Sequence, residues 1–227
     1  MTITLLGTSH IAEQSMKDIK KKIDEFSPDI IALELDKQRA NSLMTEEKRK
    51  LQWRTIFIVG VKGFLFAKIG QIVQQKLGGM VGVNPGADMK QGLILAKEKD
   101  LKVALIDQPI YITLRNFSKS FTWREKWHFV ADLIKGFFWP RKQIKNLGFN
   151  TFDLRTVPEQ EMIEKMVGYV EKRYPTIYKT LIDDRNKYMV KKLVRLQRAN
   201  LGKNILVIIG AGHKSGMNEL LNKIDIL

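Results

Sequence analysis

Both ends of this chain spell the same pattern: an apolar run that reads as a buried strand, then Gly-x-x-His. The first is ITLLGTSH, with Gly7 and His10; the second is ILVIIGAGH, with Gly210 and His213. Each run puts apolar residues on both faces of its strand, Leu5 and Leu6 in the first, so each reads as a buried strand of a parallel sheet flanked by helices. A third run, DIIALEL, carries Glu34 at its end. The chain has three histidines, and two of them occupy this matched setting.

The spacing between these runs predicts an α/β domain. Residues 2–6 read as a strand and 13–26 as a helix, with Ile19, Ile23 and Phe26 on one face; Ser27 and Pro28 stop it. Residues 29–35 form the second strand of a β-α-β unit, whose strands are expected to be parallel. Further helices are predicted from about Lys37 to Lys50, from Ala87 to Lys99, and from the Thr122 N-cap to about Phe138. Two more are predicted at 158–172 and 176–199. Residues 102–107 and the NILVIIG run complete the strands, and a short C-terminal helix follows. The predicted fold is a mixed, mostly parallel central sheet flanked by helices. It forms a single domain over 1–227, with helical insertions at roughly 51–85 and 109–175.

Ligands in open α/β sheets bind beyond the carboxyl ends of the strands. On parallel strands, Gly7–His10, Glu34–Asp36, Asp107 and Gly210–His213 all reach that edge. Gly7, Gly210 and Gly212 are expected to let the backbone turn there. Two imidazoles and a carboxylate suit a catalytic divalent ion such as zinc, with ligand distances of about 2.0–2.2 Å. The same groups also suit direct acid–base chemistry, with a neutral histidine as base oriented by Glu34. A buried Glu34 needs a partner, and Arg39 is close in sequence. Arg115 and Arg185 are candidates to bind a substrate carboxylate or an oxyanion. His128, on the Trp-bearing run WREKWHF, reads as structural.

Composition narrows the classes. With 44% hydrophobic residues the chain has a core. With no cysteine it has neither a disulfide framework nor a thiolate site. GAGHKSG lacks the spacing of a dinucleotide fingerprint, and no Walker A, G-x-S-x-G or H-E-x-x-H sequence is present. The net charge is +15, and residues 51–150 hold sixteen basic against six acidic side chains together with all four tryptophans. That balance suggests an anionic membrane surface as a partner, set against a plain lysine-rich surface over tryptophans packed in a helical core. Without a recognition motif, nucleic acid ranks last. The apolar run at 55–67 is too short to span a bilayer and reads as a core helix, with a homodimer face or amphipathic anchor as the alternative. The start shows no signal-peptide pattern, so the expected location is cytoplasmic, with peripheral contact to a membrane.

The chain resembles the TraB/PrgY family, related to the TIKI proteases. The resemblance is carried by LLGTSHIAEQS, DIIALELDKQR, NPGADM, LIDQPIYITLRN, LIDDRNKYM and VIIGAGHKSGM, over nearly the whole length. It implies a fold similar to the erythromycin esterase/ChaN-like group. From the TIKI branch it implies a metal-dependent peptidase using manganese or cobalt, with His10, Glu34 and His213 as the metal and catalytic set. Arg39, Asp107, Arg115 and Arg185 match polar positions of the family. The TraB/PrgY branch implies shutdown of a peptide pheromone signal. The chain departs from the pattern at Gln108, where relatives often carry arginine, and at Asp88, commonly glutamate. The resulting expectation is a metal-dependent hydrolase of peptide or amide bonds. The alternative is a non-catalytic protein that binds a peptide or small ligand at an anionic membrane surface.

Overall fold

The computed structural model describes residues 2–8, 13–45, 56–61, 64–65, 67–69, 71, 86–138 and 160–225. Four strands form one parallel sheet: β1 (Ile3–Thr8), β2 (Ile30–Leu33), β3 (Lys102–Leu105) and β4 (Ile205–Gly210), in the order β1-β4-β2-β3. The two ends of the chain therefore pair directly, Ile3 opposite Ile205 and Thr8 opposite Gly210. β4 lies between β1 and β2, and all six of its residues are buried. That explains a run too apolar to face water on either side.

Side chains alternate across this sheet and define two cores. Ile31, Leu33, Leu206 and Ile208 face one layer of helices, α1 (Glu13–Phe26) and α3 (Ala87–Glu98), through Ile19, Ile23, Met89 and Leu95. Ile30, Ala32, Ile205, Val207 and Ile209 face the other layer. There they meet Met189, Val190 and Leu193 of α8 (Asp184–Arg198) and Met217 of α9 (Ala211–Asp225). Gly92 lets α3 lie close to the sheet: a Cβ there would stand 2.9 Å from Leu33 Cδ2. The same period of two carries Glu34 toward the α8–α9 layer.

The remaining elements are α2 (Lys37–Thr45), α4 (Ile110–Ser120), α5 (Trp123–Phe138), α6 (Gln160–Arg173) and the short α7 (Pro175–Tyr178). The helix predicted over 176–199 is interrupted: α7 passes into a π-helical turn at Lys179–Asp183 before α8 begins. The predicted N-cap at Thr122 is present. Thr122 Oγ1 accepts the Glu125 N–H at 3.3 Å, and Glu125 accepts the Thr122 N–H at 3.2 Å, a reciprocal capping box. The apolar run is helical at 56–61, 64–65, 67–69 and 71, but only part of it is core. Val59 and Phe64 pack on Leu114, whereas Phe57, Ile58, Val61 and Leu65 are exposed. Trp123 and Trp127 are exposed too, which corrects the expectation that they pack in a helical core. Trp53 and Trp139 lie outside the described residues.

Candidate functional site

The carboxyl ends of β2, β3 and β4 meet the first turns of α8 and α9 in a buried polar cluster. At its centre is Arg185, on the second residue of α8. Its Nε and Nη2 form a fork on Asp107, at 3.0 and 2.8 Å, and Nη2 also donates to Glu34 Oε1. Nη1 donates to the Leu181 carbonyl at 3.0 Å and lies 3.0 Å from His213 Nε2. All five guanidinium N–H groups therefore have an acceptor. The Leu181 carbonyl belongs to the π-helical turn, so that local widening helps seat the arginine. Burial by itself would lower the Arg185 pKa, but Glu34 and Asp107 outweigh it and raise the pKa further above its ordinary value. The guanidinium is a permanent charge.

Each partner is held from a second direction. Glu34 Oε2 accepts the Gly210 N–H at 2.6 Å, where β4 gives way to α9. Asp107 Oδ1 accepts its neighbour's Gln108 N–H at 2.7 Å, and Oδ2 takes a further bond from Arg39 Nη1 at 2.8 Å. His213 Nδ1 lies 2.6 Å from Asn186 Oδ1. An amide oxygen can only accept, so Nδ1 carries the hydrogen. The Nε2 lone pair then faces Arg185, with Glu34 Oε1 at 3.3 Å. Gly216, one turn along α9 from His213, leaves room for this: a Cβ there would come 2.6 Å from Asn186 Nδ2.

The structure thus joins Glu34, Asp107, Arg185, His213 and Arg39, and it rearranges their expected pairing. Glu34 takes Arg185 rather than Arg39, and Arg39 goes to Asp107. Arg115 stands exposed on α4 and makes no contact with the cluster among the described residues. His10 lies outside the described residues. Gly7 is not a turn but an internal residue of β1; a Cβ there would stand 3.1 Å from the Ala211 Cα, so glycine lets α9 start against the strand. Gly210 ends β4 and supplies an N–H to the cluster. Gly212 sits in the first turn of α9, where a Cβ would meet nothing closer than Val167 at 3.8 Å, so its role as a turn is not seen. Asp36 caps α2 through the Arg39 N–H at 2.9 Å and reaches the Ile110 N–H of α4 at 3.4 Å. Gln108, which departs from the arginine expected from the resemblance, donates through Nε2 to Thr113 Oγ1 at 2.9 Å. Asp88 accepts the Thr8 hydroxyl at 2.6 Å on the other side of the sheet edge. His128 sits in a separate network, 3.5 Å from the Arg173 carbonyl, beside the Arg173–Asp132 fork.

A family model for TraB/PrgY/gumN proteins matches residues 1–225. The chain belongs to the TraB/PrgY/gumN family. It is 32% identical to an uncharacterized protein of Methanocaldococcus jannaschii over 229 residues, covering 98% of this chain and 54% of the relative. It is 23% identical to a TraB domain-containing protein of Bos taurus over 242 residues, covering 96% of this chain and 62% of the relative. The human TraB domain-containing protein is 21% identical over 251 residues, with the same coverage of 96% and 62%. This TraB-family chain spans between about half and two thirds of the length of these relatives. Among its described residues no helix is long and apolar enough to cross a membrane.

The donor set can be tested for a divalent ion on this geometry. Among the described residues no group of three or more His, Asp or Glu side chains is arranged to hold one. The two expected donors in view, Glu34 Oε1 and His213 Nε2, both face the Arg185 guanidinium. As arranged, these two of the three expected donors do not fit a cation: an ion there would share its ligands with a permanent positive charge.

Proposed function

We propose that this TraB-family chain hydrolyses peptide or amide bonds at the carboxyl edge of its sheet, with Glu34 and His213 as the reacting pair and Arg185 as the residue that positions them. The observation that carries this reading is the placement of the His213 ring, with Nδ1 2.6 Å from Asn186 Oδ1 and Nε2 3.3 Å from the buried Glu34 carboxylate, at the edge where sheets of this class bind substrates. A buried ion cluster is a poor route to stability, because apolar packing of the same volume often serves as well. Its cost makes sense where the groups are used.

In the step proposed, a water molecule replaces Arg185 Nη1 as the partner of His213 Nε2 when substrate binds. Nε2 takes one proton as the water oxygen adds to the substrate carbonyl carbon. Glu34 stabilises the imidazolium. The C–N bond then breaks, and the leaving amine takes the proton back from Nε2. The test is hydrolysis of a mixture of N-acetylated peptides in 18O-labelled water, read by mass spectrometry at the new carboxylates. The wild type is expected to incorporate label, and Glu34→Gln and His213→Ala to slow incorporation at least about 100-fold without loss of fold. No incorporation by wild type, or unchanged rates in both variants, rejects the reading.

A specific observation favours a second activity, attachment to an anionic membrane. Phe57 is 92% exposed, and Trp123 and Trp127 are 74% and 70% exposed, within the stretch that carries sixteen basic and six acidic side chains. Lys126 lies 3.7 Å from the Trp123 ring centre. A second copy of the chain would bring two strongly basic surfaces together, whereas an anionic bilayer complements both the charge and the aromatics. Co-sedimentation with phosphatidylglycerol vesicles but not phosphatidylcholine vesicles, lost on Phe57→Ser with Trp123→Ser, is the expected result. Equal sedimentation with both vesicle types would reject it.

A further inference from the structure

Arg185 was a candidate to grip the substrate, but its fork is full. Arg39 is different. It is on α2, and its backbone N–H is fixed by the Asp36 cap at 2.9 Å. One nitrogen, Nη1, is bound to Asp107 Oδ2 at 2.8 Å. The rest of the guanidinium, Nε and Nη2, has no hydrogen-bond partner among the described residues. Its side chain is 31% exposed, against 2% for Asp107 and Glu34 and 14% for Arg185. Arg39 is thus the member of the cluster that reaches solvent, and it reaches it with an unfilled edge. It shares Asp107 Oδ2 with Arg185, which in turn holds Glu34. The open edge therefore stands a short relay of hydrogen bonds from the reacting pair.

We infer that Arg39 is the anchor for a carboxylate on the substrate, so that the chain selects peptides or N-acyl amino acids with a free C-terminal carboxylate close to the bond cleaved. This inference rests on the hydrolytic reading for its location but is tested without it. The Nε/Nη2 edge of a guanidinium matches the two oxygens of a carboxylate in a planar, bidentate pair, which an ammonium cannot reproduce. The two carboxylates do not oppose the incoming anion with a net charge, because Arg185 and Arg39 together balance Glu34 and Asp107. The Asp107 bond also holds the Arg39 head in one place, so little side-chain freedom is lost on binding. The net charge of +15 draws anions toward the chain.

The probes are N-acetyl-Ala-Ala and the same compound with a C-terminal carboxamide, titrated calorimetrically into wild type and into His213→Ala. The free acid is expected to bind about 10-fold to 100-fold tighter than the amide to both proteins. Arg39→Gln is expected to erase that preference. Arg39→Lys, which keeps the charge on Asp107 but not the fork, should restore only part of it. Melting curves of both variants guard against loss of fold, and Arg39→Lys carries the test if Arg39→Gln is unstable. Equal binding of acid and amide to wild type, or a preference that survives in Arg39→Gln, overturns the inference. A preference for the acid without any 18O incorporation would sink the hydrolytic reading and leave the anchor. Hydrolysis of acid and amide with the same KM would sink the anchor and leave the hydrolase.

Discussion

Arg185→Met removes the cation on which the cluster is built and leaves two buried carboxylates facing it. Glu34 and Asp107 are each 2% exposed in their side chains, so neither can recover its lost partner from water. Breaking a buried pair by removing one partner costs about 3–5 kcal/mol. Asp107 keeps the Arg39 bond, and Glu34 keeps the Gly210 N–H, which places the expected loss toward the lower half of that range. For a chain of this size each kcal/mol lowers Tm by about 2–4 °C, so a fall of roughly 6–15 °C is expected. The pH dependence separates charge burial from lost packing. In the variant, burial and the nearby Asp107 disfavour the charged form of Glu34, so its folded pKa rises above the unfolded value. A group with a raised pKa contributes most when protonated, at low pH, and loses that contribution as pH rises through the folded pKa. The gap between wild type and variant should therefore narrow from pH 8 to pH 5. Urea unfolding followed by circular dichroism at both pH values provides the assay. A loss below about 1 kcal/mol, or a gap of the same size at both pH values, would refute the reasoning that uncompensated charge is the cause.

Gly216→Ala should push a methyl group against Asn186 Nδ2, costing about 1–3 kcal/mol and releasing His213 from a single tautomer, which nitrogen NMR of the imidazole would register. Asn186→Leu should free the same ring, and the 18O assay should fall with little change in binding of N-acetyl-Ala-Ala. Glu125 joins the α5 capping box to the Thr176 N–H at 2.6 Å; burial would raise its pKa, but the bonds from Thr176 and Thr122 outweigh it and hold the carboxyl below its usual range. Its stabilising contribution is thus present above the unfolded pKa of about 4.3 and is lost as pH falls through the lower folded value, so the stability difference between wild type and Glu125→Gln should close under acid. Melting in the presence of manganese, cobalt or zinc tests the ion expected from the family resemblance. An upward shift that vanishes in His10→Ala and His213→Ala would show that Arg185 yields its place, and no shift agrees with the guanidinium holding it.

Some of this protein could be read residue by residue. The run ending in Gly210 is too apolar for anything but a covered strand, and it is buried throughout; the run ending in Gly7 pairs with it as a half-buried outer strand. Glu34 and Asp107 follow strands so directly that their place at the carboxyl edge needs only the parallel sense of the sheet. Thr122, three residues before Glu125, announces its helix because a short side chain there satisfies an otherwise empty N–H. These are local properties: period, capping and burial depend on a few neighbours along the chain. Asn186 and Gly216 gave no comparable signal. A helical asparagine and a helical glycine are ordinary in isolation, and they matter only because α8 and α9 cross where one side chain meets the other's missing Cβ.

The sequence by itself determined a parallel sheet wrapped in helices and the chemical types gathered at one edge of it. It left open which arginine meets which carboxylate, because a guanidinium on a long side chain has many partners within reach until the helices dock. Only the packing of α8 on the sheet gave Arg185 to Glu34, His213 and Asp107, and so left Arg39 with an edge turned to solvent.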